Sequence, residues 1–451
     1  MHSKIFRETF FSTKPLEPHD YETSRRISIL EGCSARAVFN LTSGAFLAGY
    51  ASFLGSDDAF NGIIGAMPVL AGIIALFSPI YFEKRAKRKL QVTFLNFLHR
   101  FILGLMVVVP LIASGKSARL ILLALMYLTA NLFIAFANPA GNGILIDLTP
   151  ENIRGRYFGK RESCLLAIGT VFSLVFGSVL DKFRADGNEY GGFVMMFSVI
   201  LALSFADGFL WSKIKEPYKA KKKSNFTIKQ VITIPLKNSG FRKILVFFVL
   251  YNIGLQIGGP FFSVYMVTGL KLDYTYITIV GMMSTVVNVL LVRVWGRIAD
   301  RKSWSFVLKN SVMMLGITHA LWIFVNPGTA FLLVPILHIT SGASWAGIGI
   351  STFNIQFVFS PEDGRTVYIG FNAALGGIMG FFGTLAGSLL LGIFEYTNPS
   401  IGGMEFSGMQ ILFGLSGILL LVSSAYANFF IKQASTQVSK ADAGKNKAET
   451  M

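Results

Sequence analysis

Pro150-Glu151-Asn152-Ile153-Arg154-Gly155-Arg156-Tyr157-Phe158-Gly159 and Pro361-Glu362-Asp363-Gly364-Arg365-Thr366-Val367-Tyr368-Ile369-Gly370 are two copies of one pattern, P-E-x-x-R-x-x-Y-x-G. Each copy leads into an apolar stretch dotted with glycine. Their separation is nearly half of the 451-residue chain. That is far beyond the roughly 20–50-residue periods of stacked repeats. The pattern implies two equivalent halves, each presenting the same segment to the same side of a boundary.

The boundary is a bilayer. The chain is 53% hydrophobic and 14% charged, with a mean hydropathy of +0.57, more apolar surface than a water-soluble core can hide. Apolar runs of about 20 residues, each long enough to cross the hydrocarbon, predict twelve helices. They fall at 31–54, 60–82, 92–113, 119–140, 162–181, 191–212, 243–268, 274–296, 304–326, 330–353, 366–395 and 405–431. The glycines of the eleventh leave room for a break or a tilt. The runs are too long for barrel strands and lack period-two alternation. The expected fold is an all-α integral membrane protein, its twelve transmembrane helices in two pseudo-symmetric six-helix bundles.

A net charge of +17 would point to nucleic acid in a soluble protein, but its placement argues otherwise. With both ends cytoplasmic, all but six of the 41 lysines and arginines face the cytoplasm. The exceptions are Lys116, Arg119, Lys182, Arg184 and Lys271 outside, and Arg36, read as the one cation within a helix. This is a positive-inside pattern, with anionic lipid headgroups as a secondary partner and no nucleic acid. The largest polar interruption, Lys213 to Lys243, carries ten basic residues near the chain midpoint. The expected organisation is a cytoplasmic segment 1–30, a bundle 31–212, a basic linker 213–242, a second bundle 243–431, and a polar, disordered tail 432–451. The first thirty residues have no apolar core with a cleavage site, which argues against a signal peptide. Cys33 and Cys164 lie near cytoplasmic helix ends, where a reduced state is expected.

The loop after helix 8 reads Trp295-Gly296-Arg297-Ile298-Ala299-Asp300-Arg301-Lys302-Ser303. It resembles the G-x-x-x-D-R-x-G-R/K signature of the major facilitator superfamily. The matching loop after helix 2 keeps acid and base at the same offset, as Glu83-Lys84, but has lost both glycines. A carboxylate and a cation at the cytoplasmic end of a helix can cap termini and pair with a neighbouring helix. Glu83, Lys84, Asp300 and Arg301 are therefore gating candidates, with a solvated basic loop as the alternative. Arg154 and Arg365 of the repeated segments, placed in the loops before helices 5 and 11, join them. Helix count, two halves, central loop and both loop signatures together make the chain similar to that superfamily.

The resemblance implies that helices 1, 4, 7 and 10 line the substrate path. Polar side chains within a membrane helix are functional candidates in their own right. Helix 1 carries Glu31, Arg36, Asn40 and Ser43, the last three on one face. Helix 4 carries Asn131, Asn138 and Asn142, helix 7 carries Tyr251, Asn252 and Gln256, and helix 10 carries His338, Ser341, Ser344 and Trp345. Any one of these can instead glue helices together, at roughly 0.6 kcal/mol. Arg36 is either an anion-binding or gating charge, or a structural partner of Glu31, Asp147 or Glu162. His338 is a proton-coupling candidate because its ordinary pKa lies near working pH. Asp207 and Glu162 are the other candidates, both expected near the hydrated cytoplasmic end.

The five histidines have no metal-ligand spacing, and neither a nucleophile elbow nor a phosphate loop is present. An enzyme, a metal, a cofactor and an ATP-driven pump are not expected. The reading is a monomeric secondary transporter of a small polar organic solute, in the inner or plasma membrane, working by alternating access with protons as the coupling ion. Two rivals stand beside it. One is proton-antiport efflux of amphipathic compounds, though helix 5 lacks the G-P-x-x-G-G element typical of such antiporters. The other is a non-transporting sensor on the same scaffold.

Overall fold

The computed structural model describes residues 9–11, 15–82, 85, 87–217, 228–360, 365–397, 400–401 and 404–431. Eleven helices among them are long and apolar enough to cross a membrane. They are α2 (Asp58–Phe82), α3 (Lys89–Ile112), α4 (Lys116–Asp147), α5 (Glu151–Ala185), α6 (Glu189–Lys213) and α7 (Ser239–Gly269). The remainder are α8 (Tyr274–Arg301), α9 (Trp304–Phe324), α10 (Ala330–Phe359), α11 (Arg365–Thr397) and α12 (Gly408–Ile431). With a discontinuous first element, α1, they make up the expected twelve. A short helix, Ile228–Lys237, precedes α7. Strands β1 (Ser400–Ile401) and β2 (Met404–Glu405) pair antiparallel before α12.

The first element runs as Pro18–Leu41 and resumes as Gly44–Phe53. It begins well before the expected position 31. Pro18 takes a first-turn position where its missing N–H costs nothing, and the Glu17 N–H donates to Asp20 Oδ2 at 3.2 Å. The break has a local cause. Thr42 Oγ1 donates to the Val38 carbonyl at 2.8 Å and Ser43 Oγ to the Phe39 carbonyl at 2.7 Å. These bonds compete with the backbone ladder. Gly44 then turns at φ +56°, a conformation that suits glycine.

In α7 the regular helix stops at Gly258. Pro260 has no N–H to continue the ladder, and a four-residue turn, Phe261–Val264, leads into a π-helical turn, Tyr265–Gly269. The glycine-rich α11, by contrast, is continuous. A Cβ on Gly383 would lie 2.9 Å from the Ile253 carbonyl oxygen, and one on Gly387 would lie 2.3 Å from that of Ile257. Its glycines let α11 approach the backbone of α7 rather than break it.

The chain forms two compact units. Unit 1 holds Met1–Asn225 and also Met266–Thr278; unit 2 holds Phe226–Tyr265 and Ile279–Met451. In unit 1, α1 packs on α5 and α6, and α3 on α4 and α6, with Phe82, Val92, Ile144 and Trp211 in one buried cluster. The segment Met266–Thr278 is held in unit 1 by carboxylates. Asp181 accepts from the Tyr274 and Thr275 N–H groups, both at 2.9 Å, and from Thr275 Oγ1 at 2.6 Å. Asp58 accepts from Thr268 Oγ1 at 2.9 Å. In unit 2, α7 packs on α11 and α12, and α9 on α10 and α12, around Phe241, Phe247, Leu308 and Leu315. Large apolar side chains such as Leu111, Phe331 and Leu389 stand exposed on the surface, as lipid contact requires.

Candidate functional site

In unit 1 the polar face of α1 meets α5. Arg36 Nη2 lies 2.7 Å from Glu162 Oε1, and both side chains are accessible, at 29% and 51%. Of the three pairs open to Arg36, this is the one formed. Asn40 Nδ2 donates to Ser173 Oγ at 3.2 Å. Gly169 makes room for both, because a Cβ there would lie 2.6 Å from Arg36 Cγ and 2.9 Å from Asn40 Nδ2. Arg36, Asn40 and Ser43 thus lead directly into the break in α1. On α4, Asn131 is buried and donates to the Tyr127 carbonyl at 2.8 Å. Asn138 and Asn142 are exposed further along the same helix.

Asp207 is not hydrated, contrary to expectation. It is fully buried, and its Oδ2 lies 2.9 Å from Arg100 Nη1. Arg100 Nη2 reaches Glu31 Oε1 at 3.2 Å, and Arg161 Nη2 reaches Glu31 Oε2 at 3.4 Å. Arg36 is therefore not the only cation within a membrane helix: Arg100, counted as cytoplasmic from the sequence, sits buried inside α3. The sequence signal for it was an arginine in one apolar run and an aspartate in another run of the same half. Buried charges of opposite sign seek one another.

In unit 2, Asn252 Nδ2 donates to the Phe248 carbonyl at 2.7 Å, and a Cβ on Gly376 would touch it at 3.1 Å. The Gln256 carbonyl accepts from Thr384 Oγ1 at 3.0 Å, leaving its half-buried side chain beside the break at Gly259. Tyr251 is buried and stacked on Phe247. On α10, His338 Nδ1 lies 2.8 Å from the Val334 carbonyl, and the ring meets Trp322 edge-on. Ser344 is buried and bonded to the Thr340 carbonyl, so it packs the helix. Ser341 is half-buried and Trp345 exposed. The set is thus divided: Glu31, Asn131, Tyr251 and Ser344 are buried within their units, and the others are half-buried or exposed.

The first repeated segment is a helix start rather than a loop, since α5 begins at Glu151 directly after Pro150; of the second, residues 361–364 lie outside the described residues and α11 begins at Arg365. Their shared tyrosine has a common role. Tyr157 bonds to Ser28 and donates to the Arg25 carbonyl, both on α1. Tyr368 packs edge-on against Phe241 at the start of α7. In each half, the fifth helix is pinned to the first by the repeat.

Asp300 and Arg301 end α8 exposed, with no ion pair among the described residues. Glu83 and Lys84 lie outside the described residues, as do the side chains of Arg154 and Arg365. A charged cluster not expected from the sequence stands at the start of α3. Glu216 accepts from the backbone N–H groups of Arg88, at 2.9 Å, and Lys89, at 3.0 Å, capping the start of α3. Arg88 also pairs with Glu216 and with Asp147, at 3.3 and 3.4 Å.

Twelve membrane elements in two units, with polar side chains along interrupted first helices, are an architecture that suits a membrane transporter. The sequence matches the family model of the Major Facilitator Superfamily over residues 32–384, and the chain belongs to that superfamily. A bacterial homologue of the iron transporter ferroportin, in its inward-facing state, superposes with a TM-score of 0.69 at 14% identity, covering 93% of this chain and 100% of that one. A mutant of the nucleoside transporter NupG gives 0.68 at 14% identity, over 91% and 100%. A D-xylose–proton symporter gives 0.68 at 12%, over 91% and 98%. At such identities the likeness concerns the fold alone. No curated protein matches the chain in sequence.

Proposed function

We propose that this transporter moves a small polar organic solute across the inner or plasma membrane by alternating access, in symport with protons. It acts as a monomer with both chain ends in the cytoplasm. One observation carries the reading: α1 and α7, the first helices of the two halves, are both interrupted, at Thr42–Gly44 and at Gly259–Pro260. Interrupted membrane helices in corresponding positions mark binding sites, because unpaired peptide groups survive only inside protein or beside water. Arg36, Asn40 and Ser43 lead into the first break; Asn252 and Gln256 precede the second. Amides, a hydroxyl and one arginine suit a solute rich in hydroxyl or carboxylate oxygen. Two of the similar folds belong to transporters of nucleosides and of D-xylose, both polar organic solutes. The exposed rings of Phe39 and Trp345 favour the rival, efflux of amphipathic compounds. The assignment of Asp300, Arg301, Arg154 and Arg365 to gating belongs to the same proposal.

The test is a thermal-shift panel on the purified protein at pH 5.5 and 7.5, with sugars, amino acids, carboxylates, nucleosides and lipophilic cations. A ligand that binds the folded state alone raises its midpoint by mass action. Stabilisation by a polar compound, lost in Asn40→Ala or in Asn252→Ala, supports the reading. Stabilisation by lipophilic cations alone overturns it in favour of efflux.

A further inference from the structure

Asp207 is fully buried, yet neither of its carboxylate oxygens accepts a hydrogen bond. Arg100 Nη1 lies close to Oδ2, at 2.9 Å, but its N–H bonds point elsewhere. Glu31, equally buried at 3% exposure, takes the better-directed contacts, from Arg100 Nη2 and Arg161 Nη2. One guanidinium lies against both acids: Arg100 Nη1 is 2.9 Å from Asp207 Oδ2 and Nη2 is 3.2 Å from Glu31 Oε1. Among the described residues, the charged groups facing this pair are Arg100 from α3 and Arg161 from α5. A buried acceptor without a donor needs an explanation, and burial of a carboxylate that no donor reaches favours its protonated form.

We propose that Glu31 and Asp207 share one proton and form the proton-binding site of unit 1. Protonated Asp207 is the donor that Glu31 faces, and Glu31 keeps the negative charge under Arg100 and Arg161. Loss of the proton leaves two adjacent negative charges, which draw Arg161 further onto Glu31. The next residue of α5 is Glu162, which holds Arg36 at 2.7 Å beside the break in α1. Consecutive residues of one helix therefore connect the proton site to the polar face of α1. That connection, as a coupling route, rests on the transport function proposed above; the shared proton does not.

Infrared difference spectroscopy of the full chain in liposomes tests the proton directly. The wild type at neutral pH is expected to show the carbonyl stretch of a protonated carboxyl group. That band should be lost in both Asp207→Asn and Glu31→Gln, although each variant keeps one of the two acids, and retained in Asp147→Asn. Wild type labelled with ¹³C at aspartate or glutamate carboxyls assigns the band without any substitution, should a variant fail to fold. Absence of the band, or its persistence in both variants, overturns the shared proton.

The coupling step is read in the thermal-shift panel. Asp207→Asn should still be stabilised by the polar hit, but equally at pH 5.5 and 7.5. Retained pH dependence in Asp207→Asn, together with its loss in His338→Gln, would place coupling on α10 and overturn the route. A band without any stabilising compound would leave the proton site standing and remove the proposed substrate class.

Discussion

Arg36 and Arg100 are both arginines within membrane helices, but their surroundings assign them different work. Arg36 and Glu162 form an accessible pair, and such pairs contribute only about 0–1 kcal/mol. Arg100 is buried between two buried carboxylates, and removing one partner of such a group costs about 3–5 kcal/mol. Arg36→Ala is therefore expected to abolish transport of an anionic solute while leaving the melting midpoint nearly unchanged, and Arg100→Ala to lower the midpoint sharply. Equal drops in both variants would make Arg36 structural. Outside the membrane, Asp20 accepts from Lys215 Nζ at 2.6 Å, and that bond, with help from the Glu17 N–H, holds its carboxyl below the usual carboxylate range. A depressed folded pKa means the contact is fully present at neutral pH and is lost only as pH falls through that lowered value. Melting curves of wild type and Asp20→Asn should thus differ at pH 7 and converge in acid.

At the scale of the element, the two interrupted helices have different causes and different tolerances. In α1 the break depends on Thr42 and Ser43 turning their hydroxyls back on the preceding carbonyls and on the positive φ of Gly44. A side chain in that conformation costs about 1 kcal/mol, so Gly44→Ala should lower the midpoint modestly and impair transport more than Gly72→Ala, where a Cβ meets nothing within 4 Å. Equal transport in the two variants would separate the break from function. In α11 the glycines are contact surfaces. Gly387→Val should destabilise by about 1–3 kcal/mol through overpacking against the Ile257 carbonyl, a loss readable in the melting midpoint of the detergent-solubilised protein. The predicted span of helix 1 hid its interruption because hydropathy sums side chains, and Thr42, Ser43 and Gly44 scarcely change the sum. The Gly258-Gly259-Pro260 run of α7 was a clearer signal, visible without the structure.

At the scale of the whole molecule, the compact units do not divide the chain at a single point. Met266–Thr278 belongs to unit 1 although it follows the midpoint, and Asp181 holds it there by three hydrogen bonds. Asp181→Asn removes the charge and half of the acceptor capacity. Cysteines placed at Thr268 and Val267 should then label faster. An unchanged labelling rate would show that this segment is held by packing, through Phe46 and Tyr274, rather than by charge. Asp300→Asn, at the end of α8, is expected to change cysteine labelling if that carboxylate gates; an identical pattern would clear it of the role.

Much of this protein follows from its sequence alone. Helix number and the two halves are consequences of apolar run length and of where the long polar interruption stands, because the bilayer acts on those quantities directly. The repeat marked the two halves, and the conjunction of loop signatures marked the superfamily. What tertiary structure decided is which polar groups share a site. Asp207 looked like a hydrated terminal acid and is a buried partner of Arg100, which it shares with Glu31; Asn131 and Ser344 looked like cavity residues and face their own helix bundle. The reason is physical: a charge or amide in a low-dielectric interior takes its role from the groups within a few ångströms, and those come from helices distant in sequence.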